Sequence, residues 1–393
     1  MMTTAVAYEQ RPWQSRIAPD ALPKRQRLLL AQPYDAAVPP QIADLDIRLS
    51  DDLVELLGEA QERIIRFDSE VGHITAPFSS ILLRSESASS SQIENLTSSA
   101  KAIAEAELDE RDTGNAPLIV ANVRALEAAL AASDELSNTT IIAMQEQLLG
   151  TSAPEITGRY RDEQIWIGGG NYSPHEADFV PPHHDRVAAA MDDFITYSLR
   201  PAPLPLAAIA VAHAQFETIH PFPDGNGRTG RALVQAALRR VGLTSGVTVP
   251  ISAGILQQRD DYFAALTNYR QGDVEPIVRV FADGAFLAIA NGRTLVEEIE
   301  TIRTAWQEAL RDVRADSAAH RITALAMEHP VMNSRLVREH LDASDRTVFN
   351  TLDTLVDRGI LTVGSSRQRN RLWTAPPVLA ALDGFAARSM RRG

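Results

Sequence analysis

The sequence of 393 residues contains no cysteine, which excludes a disulfide, a thiolate zinc site and a cysteine nucleophile. It also lacks any run of uncharged apolar residues long enough to cross a bilayer. Its first residues, MMTTAVAYEQRPWQSR, have no apolar core of the kind that a signal peptide needs. These absences lead us to expect a cytoplasmic protein that makes no contact with a membrane.

Positive charge is also scarce. The net charge is −13 at pH 7, which argues against binding nucleic acid through bulk electrostatics. Residues 316–393 differ from the rest, because they contain eleven arginines, no lysine and eight acidic residues, so their charge is about +3 and that of the remainder about −16. The apolar fraction of 45% is that of a globular protein, and at this length we expect two or three domains, the last of them a small basic module.

Apolar residues recur at helical spacing through most of the chain, which predicts a mostly α fold. The first 41 residues are rich in proline and predict an irregular arm. Residues 158–183 hold one short apolar run that is followed by three glycines and several prolines, which predict a small β-hairpin or flap. The predicted helices cover residues 50–71, 90–108, 118–133, 139–150, 183–199, 205–219, 229–242, 257–272 and 274–313.

The C-terminal residues have a different pattern. Three short capped helices are predicted in residues 316–329, 333–342 and 344–359. In residues 360–375, two apolar runs flank a polar, basic turn. Three helices followed by a two-stranded wing are the order of a winged helix-turn-helix domain.

The segment IHPFPDGNGRTGR, residues 219–231, has the composition of an anion site. Gly225, Asn226 and Gly227 can adopt positive φ at low cost, so that their amides can converge on an anion. A helix beginning near Thr229 adds its N-terminal N–H groups to the same site.

Two arginines in this segment need a negative partner. Arg228 and Arg231 are three residues apart and project from one face of the first helical turn. Alone, each opposes the helix dipole at a cost of about 0.3–1 kcal/mol. Two guanidinium groups and a helix end suit a di- or triphosphate better than a carboxylate.

A cation and a base complete the predicted chemistry. Asp224 repels a phosphate unless a hard divalent ion, Mg²⁺ by default, joins the two. His220 ends the preceding helix and is held near the site by two prolines and a phenylalanine, and its pKa suits a general base that takes a proton from a hydroxyl. The residues therefore predict transfer of a nucleotide or phosphoryl group to an acceptor that His220 activates. The glycine stretch is not a Walker loop, because G-x-x-x-x-G-K-[ST] is absent.

The same segment resembles the Fic family signature H-x-F-x-[DE]-G-N-G-R-x-x-R and matches it at every defined position. The resemblance implies a Fic-type helical core and a protein adenylyltransferase that moves AMP from ATP to a Ser, Thr or Tyr hydroxyl. It implies His220 as the base and Asp224 as the Mg²⁺ ligand. It further implies Arg228 on the phosphates and Arg231 on the γ-phosphate, with ATP as co-substrate.

Two further segments resemble parts of the family. QIWIGG is similar to the flap that clamps the target chain by strand addition, which implies a docking role for Gln164, Ile165, Trp166 and Ile167. DYFAALTNYRQGDVEP is similar to the segment after the signature, which implies that Tyr262 packs near the adenine.

An inhibitory pattern of the family, [ST]-x-x-x-E-[GN], is present upstream. Ser90, Glu94 and Asn95 occupy its defined positions. The resemblance implies that Glu94 pairs with Arg231 and so blocks the γ-phosphate position. The same glutamate can align a water for removing AMP, so the sequence leaves the direction of the reaction open.

The resemblance also divides the chain. We expect an N-terminal arm and helices with the inhibitory helix in residues 1–115, a catalytic core in 116–300, a helical linker in 301–315 and the winged helix-turn-helix domain in 316–393. The expected partners are ATP, a target protein with an acceptor hydroxyl, this protein itself as a target, a second copy in a homodimer, and DNA at the winged helix.

Three alternatives remain open at this point. A metal hydrolase would use His213, Glu217 and His220, which lie on nearly one helical face, with His183 and His184. Transfer of UMP, phosphate or phosphocholine would use the same site as AMP. A DNA-binding regulator would read a groove through the third helix and meet phosphates with the wing, using Arg346, Thr347, Asn350, Arg367, Arg369 and Arg371.

Overall fold

The computed structural model describes residues 5–13, 32–74, 78–170, 172–341, 343–364 and 371–391. The described part of the chain is mostly helical, as the sequence predicts. Its helices are α1 (Asp51–Gly72), α2 (Phe78–Ile93), α3 (Ala100–Glu107), α4 (Ala116–Ala131), α5 (Asn138–Leu149), α6 (Val187–Leu199), α7 (Pro205–Ile219), α8 (Asn226–Arg240), α9 (Ile251–Gln257), α10 (Arg259–Arg270), α11 (Glu275–Ala309), α12 (Ala318–Glu328), α13 (Ser334–His340), α14 (Asp345–Asp357) and α15 (Pro376–Ser389). None of these helices combines the length and apolar character that crossing a membrane requires.

The described residues form five short strands in two antiparallel sheets. β1 (Ala7–Arg11) pairs with β2 (Tyr34–Val38), from Ala7 opposite Val38 to Arg11 opposite Tyr34. β3 (Val331–Asn333), β4 (Thr362–Gly364) and β5 (Leu372–Thr374) form a sheet in the order β3-β5-β4. The chain divides into two compact units, of which the first comprises Met1–Glu59, Ala125–Val241 and Arg259–Ala282, and the second comprises the rest.

In the first unit, α7 and α8 form the centre. Pro205 occupies the first turn of α7, where its missing N–H is not needed, and most of the helix is buried. Gly230 lets α8 approach α7 closely, since a Cβ there would lie 2.8 Å from Glu217 Oε1 and 3.0 Å from Phe216 Cδ1. α5 begins at a capping box in which Ser137 and Thr140 exchange backbone-to-hydroxyl hydrogen bonds.

In the second unit, α2 is held on two sides by hydrogen bonds. The buried Glu86 carboxylate accepts from Ser252 N–H at 2.9 Å and from Ser252 Oγ at 2.6 Å, at the start of α9. Asn122 of α4 donates to Ser87 O at 2.9 Å. A second close approach joins α9 and α11, because a Cβ at Gly254 would collide with the backbone at Gly284.

Several predictions made from periodicity were wrong in detail. The single helix expected over residues 90–108 is divided, since Asn95 adopts a left-handed φ of 60° and the Ser99 side chain caps a new helix by accepting from Ala102 N–H. The irregular N-terminal arm instead includes the β1–β2 ribbon. The flap has no regular strands in the described residues, only one antiparallel bridge between Ile167 and Phe179.

The C-terminal segment has the predicted helices α12, α13 and α14, followed by the paired strands β4 and β5. It also has a third strand and a final helix, α15, that periodicity did not predict. Asn291 of α11 donates to Phe385 O at 3.1 Å and to Ser389 Oγ at 2.9 Å, which fastens α15 within the second unit. The winged helix-turn-helix assignment stays a prediction.

Candidate active site

The candidate base ends a helix in a strained conformation. His220 has φ of 50° and ψ of 63°, and its N–H still donates to Phe216 O at 2.9 Å. A proline follows it, which disfavours continuing the helix. A left-handed histidine costs of order 1–3 kcal/mol, and such strain is found most often at functional sites. The imidazole is 19% exposed, and its Nδ1 lies 3.4 Å from Glu217 O and 3.8 Å from Glu217 Oε2.

The loop after His220 is closed by one asparagine. Asn226 Oδ1 accepts from Phe222 N–H at 2.9 Å, and Asn226 Nδ2 donates to Phe222 O at 2.8 Å. Phe222 is completely buried and packs against Tyr160 at 5.4 Å between ring centroids. The side chain of Asn226 therefore fixes the loop geometry, a role that the sequence did not assign to it.

The glycine stretch behaves differently from the sequence prediction. Only Gly225 is left-handed, with φ of 83°, and a Cβ there would lie 2.9 Å from Leu148 Cδ2. Asn226 is the first residue of α8, so the helix starts three residues earlier than expected and Gly227 lies in its first turn. The N–H groups of this first turn therefore directly follow the loop that begins after His220.

An exposed carboxylate and a buried guanidinium group lie close together at the start of α8. Asp224 is 63% exposed, and its Oδ1 accepts from Gly225 N–H at 2.6 Å and lies 3.8 Å from Arg228 Nη2. Arg228 and Arg231 are both buried, Arg231 to 2% exposure. One exposed carboxylate beside a helix N-terminus fits Mg²⁺, which takes its other ligands from phosphate oxygens and water.

The structure does not assemble the metal site of the hydrolase alternative. Among the described residues, no three histidine, aspartate or glutamate side chains come together in a group that could hold a metal ion. His213 is buried, and its Nε2 lies 2.8 Å from the Tyr262 hydroxyl. The rings of His183 and His184 contact each other, with 4.0 Å between their centroids.

His213 makes the stability of the fold depend on pH. Burial, helped by the charge of Arg231, lowers the pKa of His213 from 6.5 to about 3. Between these values the unfolded chain binds a proton that the folded chain does not, so stability falls as pH falls below 6.5. From about pH 7.5 to about pH 5 this group alone should remove about 2 kcal/mol from the free energy of unfolding. Urea denaturation at both pH values measures it.

The matched variants are His213→Gln, which keeps a partner for the Tyr262 hydroxyl, and His73→Gln at an exposed position. We expect His213→Gln to flatten the pH dependence by about that amount and His73→Gln to leave it unchanged. An unaltered pH dependence in His213→Gln contradicts the prediction.

Tyr262, expected near the adenine, lies in the core at 1% exposure. Its ring packs against His213 and against Phe263, which is partly exposed. Contact between Tyr262 and a nucleotide stays a prediction.

The flap residues lie beside one short antiparallel pairing between two backbone segments. Ile167 N–H donates to Phe179 O at 2.9 Å, and Ile167 O accepts from Asp178 and Phe179. Gly168 and Gly169 turn the chain at φ of 73° and 70°, where side chains would strike Asp178 and Glu176. Docking of a target at Gln164, Ile165, Trp166 and Ile167 stays a prediction.

Arg161 joins the flap to the candidate base, a role that was not predicted from the sequence. Its Nε donates to His220 O at 2.8 Å, Nη1 to Glu163 O at 3.0 Å and Nη2 to Pro182 O at 2.5 Å. Burial lowers the pKa of Arg161 to about 10, so the guanidinium stays charged at neutral pH. The charge sits at the C-terminal end of α7, where the helix dipole favours it.

The predicted inhibitory residues lie in the second unit. Ser90 is buried within α2, and Glu94 is exposed in the turn that follows. Asn95 supplies the left-handed residue of that turn. Pairing of Glu94 with Arg231 stays a prediction.

Some of the predicted DNA-contacting residues make contacts within the protein. Arg346, Thr347 and Asn350 are exposed on α14, although the Thr347 hydroxyl lies 2.9 Å from Ser344 Oγ in the helix cap. Arg371 pairs with Asp353 at 3.0 Å. Arg367 and Arg369 lie outside the described residues. DNA binding stays a prediction.

A family of known proteins matches the part of the chain that contains the candidate site. Residues 135–238, from just before α5 almost to the end of α8, match the model of the Fic/DOC family. This part of the chain is therefore similar to the Fic/DOC family domain. The match includes the flap, His220 and both signature arginines, and it lies within the expected catalytic core.

Curated relatives match over part of their length. The chain is 31% identical to "Protein adenylyltransferase Fic" of Nematostella vectensis, over 38% of the chain and 32% of the relative. It is 31% identical to "Protein adenylyltransferase fic-1" of Caenorhabditis elegans, over 38% of the chain and 27% of the relative. The chain thus spans about a third or less of these relatives.

One solved structure resembles the fold more widely. A Fic family protein from Desulfovibrio desulfuricans aligns over 84% of this chain and 97% of its own, with a TM-score of 0.53 and 23% identity. At that identity the likeness concerns the fold alone.

Proposed function

We propose that this protein is an adenylyltransferase that transfers AMP from ATP to a hydroxyl of a target protein. The observation that carries the proposal is the left-handed His220, set directly before a glycine-initiated helix that buries Arg228 and Arg231. The relatives named protein adenylyltransferases support the same reaction.

In the proposed mechanism His220 removes the proton of the acceptor hydroxyl. The hydroxyl oxygen attacks the α-phosphorus of ATP, a new P–O bond forms, and the bond to the β-phosphate breaks with release of pyrophosphate. A proton on Nδ1 facing Glu217 O leaves Nε2 as the basic nitrogen. Holding the imidazole in the strained turn removes the need to order it during the reaction.

The phosphates would be bound by the helix start and the arginines. The N–H groups of the first turn of α8 and the Arg228 guanidinium offer charge to the phosphate oxygens, and Arg231 holds the γ-phosphate. Asp224 would hold Mg²⁺, which neutralises phosphate charge when bound. Positioning and electrostatics supply most of the catalysis in phosphoryl-type transfers.

We further propose that Glu94 restrains this activity by pairing with Arg231 in the resting state. A carboxylate on Arg231 competes with the γ-phosphate for the same guanidinium, so ATP binds without correct alignment. The Ser90, Glu94 and Asn95 pattern supports this regulation. Removal of AMP, or transfer of UMP, phosphate or phosphocholine, would use the same site.

The test is intact-mass measurement after incubation with ATP and Mg²⁺, using wild type and Glu94→Gly. We expect Glu94→Gly to gain the mass of one or more AMP groups. Incubation with UTP in place of ATP tests for transfer of UMP. Incubation with ATP labelled at the γ-phosphate tests for transfer of phosphate, because only that reaction moves the label to the protein. Where the protein does not modify itself, α-labelled ATP with a cell extract should label another protein. Absence of label from both variants, on themselves and in extract, contradicts the proposal.

A further inference from the structure

The N-terminal ribbon is fastened to the flap by backbone and side-chain hydrogen bonds within the first unit. Ala37 N–H donates to Val180 O at 3.0 Å, which places β2 beside the returning arm of the flap. The Tyr34 hydroxyl donates to Gln164 Oε1 at 3.0 Å. Gln164 Nε2 in turn donates to Pro181 O at 2.9 Å, so that one side chain joins both arms to the ribbon.

Aromatic packing holds the flap tip. Trp166 meets the ring of Trp13 edge-on at 5.4 Å, and Trp13 meets Tyr34 edge-on at 5.8 Å. Trp166 Nε1 also donates to Gly170 O at 2.8 Å. The orientation of Trp166 is therefore set by a residue that precedes β2 and lies far from the flap in sequence.

Charged contacts tie the ribbon to the segment after the flap. Glu9 accepts from Arg186 at 2.6 Å and from Arg11 at 2.7 Å, and Arg11 lies 3.0 Å from Asp185. The hydrogen bond from Arg186 is the main cause that lowers the pKa of Glu9 to about 2. Because partly exposed pairs contribute little, the aromatic and backbone contacts carry most of the attachment.

The expected docking edge of the flap is the side that faces away from Phe179. The N–H of Ile167 donates a hydrogen bond to Phe179 O, and its C=O accepts hydrogen bonds from the N–H groups of Asp178 and Phe179. Because successive residues of an extended chain point these groups to opposite sides, we expect the N–H and C=O of Trp166 to face the outer edge. This edge suits the main chain of an extended peptide segment.

We propose that the ribbon is a working part of the target-docking site. Through Trp13 and Tyr34 it holds Trp166 in the extended conformation that an acceptor segment pairs with. The inference rests on the proposed function for the identity of the partner, which is an extended segment carrying the acceptor hydroxyl. A flap without this bracing has to be ordered during binding, which raises the KM for the acceptor.

The test compares Trp13→Ala, Tyr34→Phe and Trp13→Phe with the control Tyr8→Ala. Tyr34→Phe removes only the hydroxyl that reaches Gln164, Trp13→Phe keeps an aromatic edge, and Tyr8 is 59% exposed on β1. The acceptor probe is the inactive His220→Ala chain, and each variant also carries Glu94→Gly. Hydrogen exchange of peptides spanning residues 163–170 reads the flap without any reaction.

We expect Trp13→Ala to raise the acceptor KM about 10-fold and to speed flap exchange, with the KM for ATP unchanged. Tyr34→Phe should show a smaller change in the same direction, Trp13→Phe should restore most of the loss, and Tyr8→Ala should match the parent. Unchanged flap exchange in Trp13→Ala and Tyr34→Phe overturns the proposal, as does an equal rise in both KM values. If no chain transfers AMP to this probe or to a protein in a cell extract, the proposed function fails, and flap exchange alone decides whether the ribbon braces the flap.

Discussion

Replacing His220 with alanine should reduce AMP transfer by about 100-fold to 10,000-fold, the contribution typical of a positioned general base. The loss should fall on kcat, because the acceptor loses its proton to the imidazole only during the reaction. The imidazole is 19% exposed at the end of α7, so its removal leaves no large cavity and the fold should persist. Transfer of α-labelled AMP by the Glu94→Gly chain, with and without His220→Ala, measures the effect.

His73→Ala is the matched control, because His73 is an exposed histidine at the end of α1. It should leave transfer unchanged. Nucleotide affinity, measured with a non-hydrolysable ATP analogue, should be similar in all three chains, since the phosphates meet α8 and not the imidazole. Full transfer by the His220→Ala chain would remove His220 from the chemistry and with it the proposed mechanism.

The helical parts of the fold could be predicted from the sequence because burial on one face leaves a periodic trace. α1, α4 and α7 begin and end within about two residues of their predicted bounds. α2 left no such trace, because it buries serines and Glu86 instead of a simple apolar stripe. Its polar groups find partners such as Ser252 and Asn122, which lie far along the chain and cannot be read locally.

The β-structure was the least well predicted part of the fold, again because its contacts join residues that are far apart in the sequence. β1 and β2 are short, and their pairing joins residues separated by a long segment. The described residues of the flap form one bridge, followed by two glycines at which an added side chain would strike Asp178 and Glu176. Hydrogen bonds between distant backbone groups have no signature in residue type.

The candidate site shows what a signature can and cannot predict. His220, Asp224, Gly225 and Arg228 were predicted from residue type, and the structure brings them to the junction of α7 and α8. Arg161 was missed because its acceptors are main-chain carbonyls, which every residue carries. Sequence alone does not separate it from the nearby Arg159, whose side chain is 63% exposed.

Replacing Glu94 with glycine should raise AMP transfer about 5-fold to 150-fold, the range expected when one competing contact of about 1–3 kcal/mol is removed. Glu94 is exposed in a turn after α2, and the next residue is already left-handed, so glycine fits this backbone. Loss of the carboxylate leaves Arg231 available to the γ-phosphate, which should raise kcat through better alignment of ATP. Glu94→Gln, which removes the charge but keeps the side-chain length, should produce most of the same increase.

Asp112→Gly is the matched control, because Asp112 is an exposed carboxylate in a loop of the same unit and should leave the rate unchanged. The effect should also depend on Arg231. Arg231→Ala should be nearly inactive with or without Glu94→Gly, since the two residues act on one step and their effects cannot add. Activation by Asp112→Gly, or equal activity of wild type and Glu94→Gly, contradicts autoinhibition by this glutamate. A rise in the Arg231→Ala background would show that Glu94 acts on something other than the γ-phosphate position.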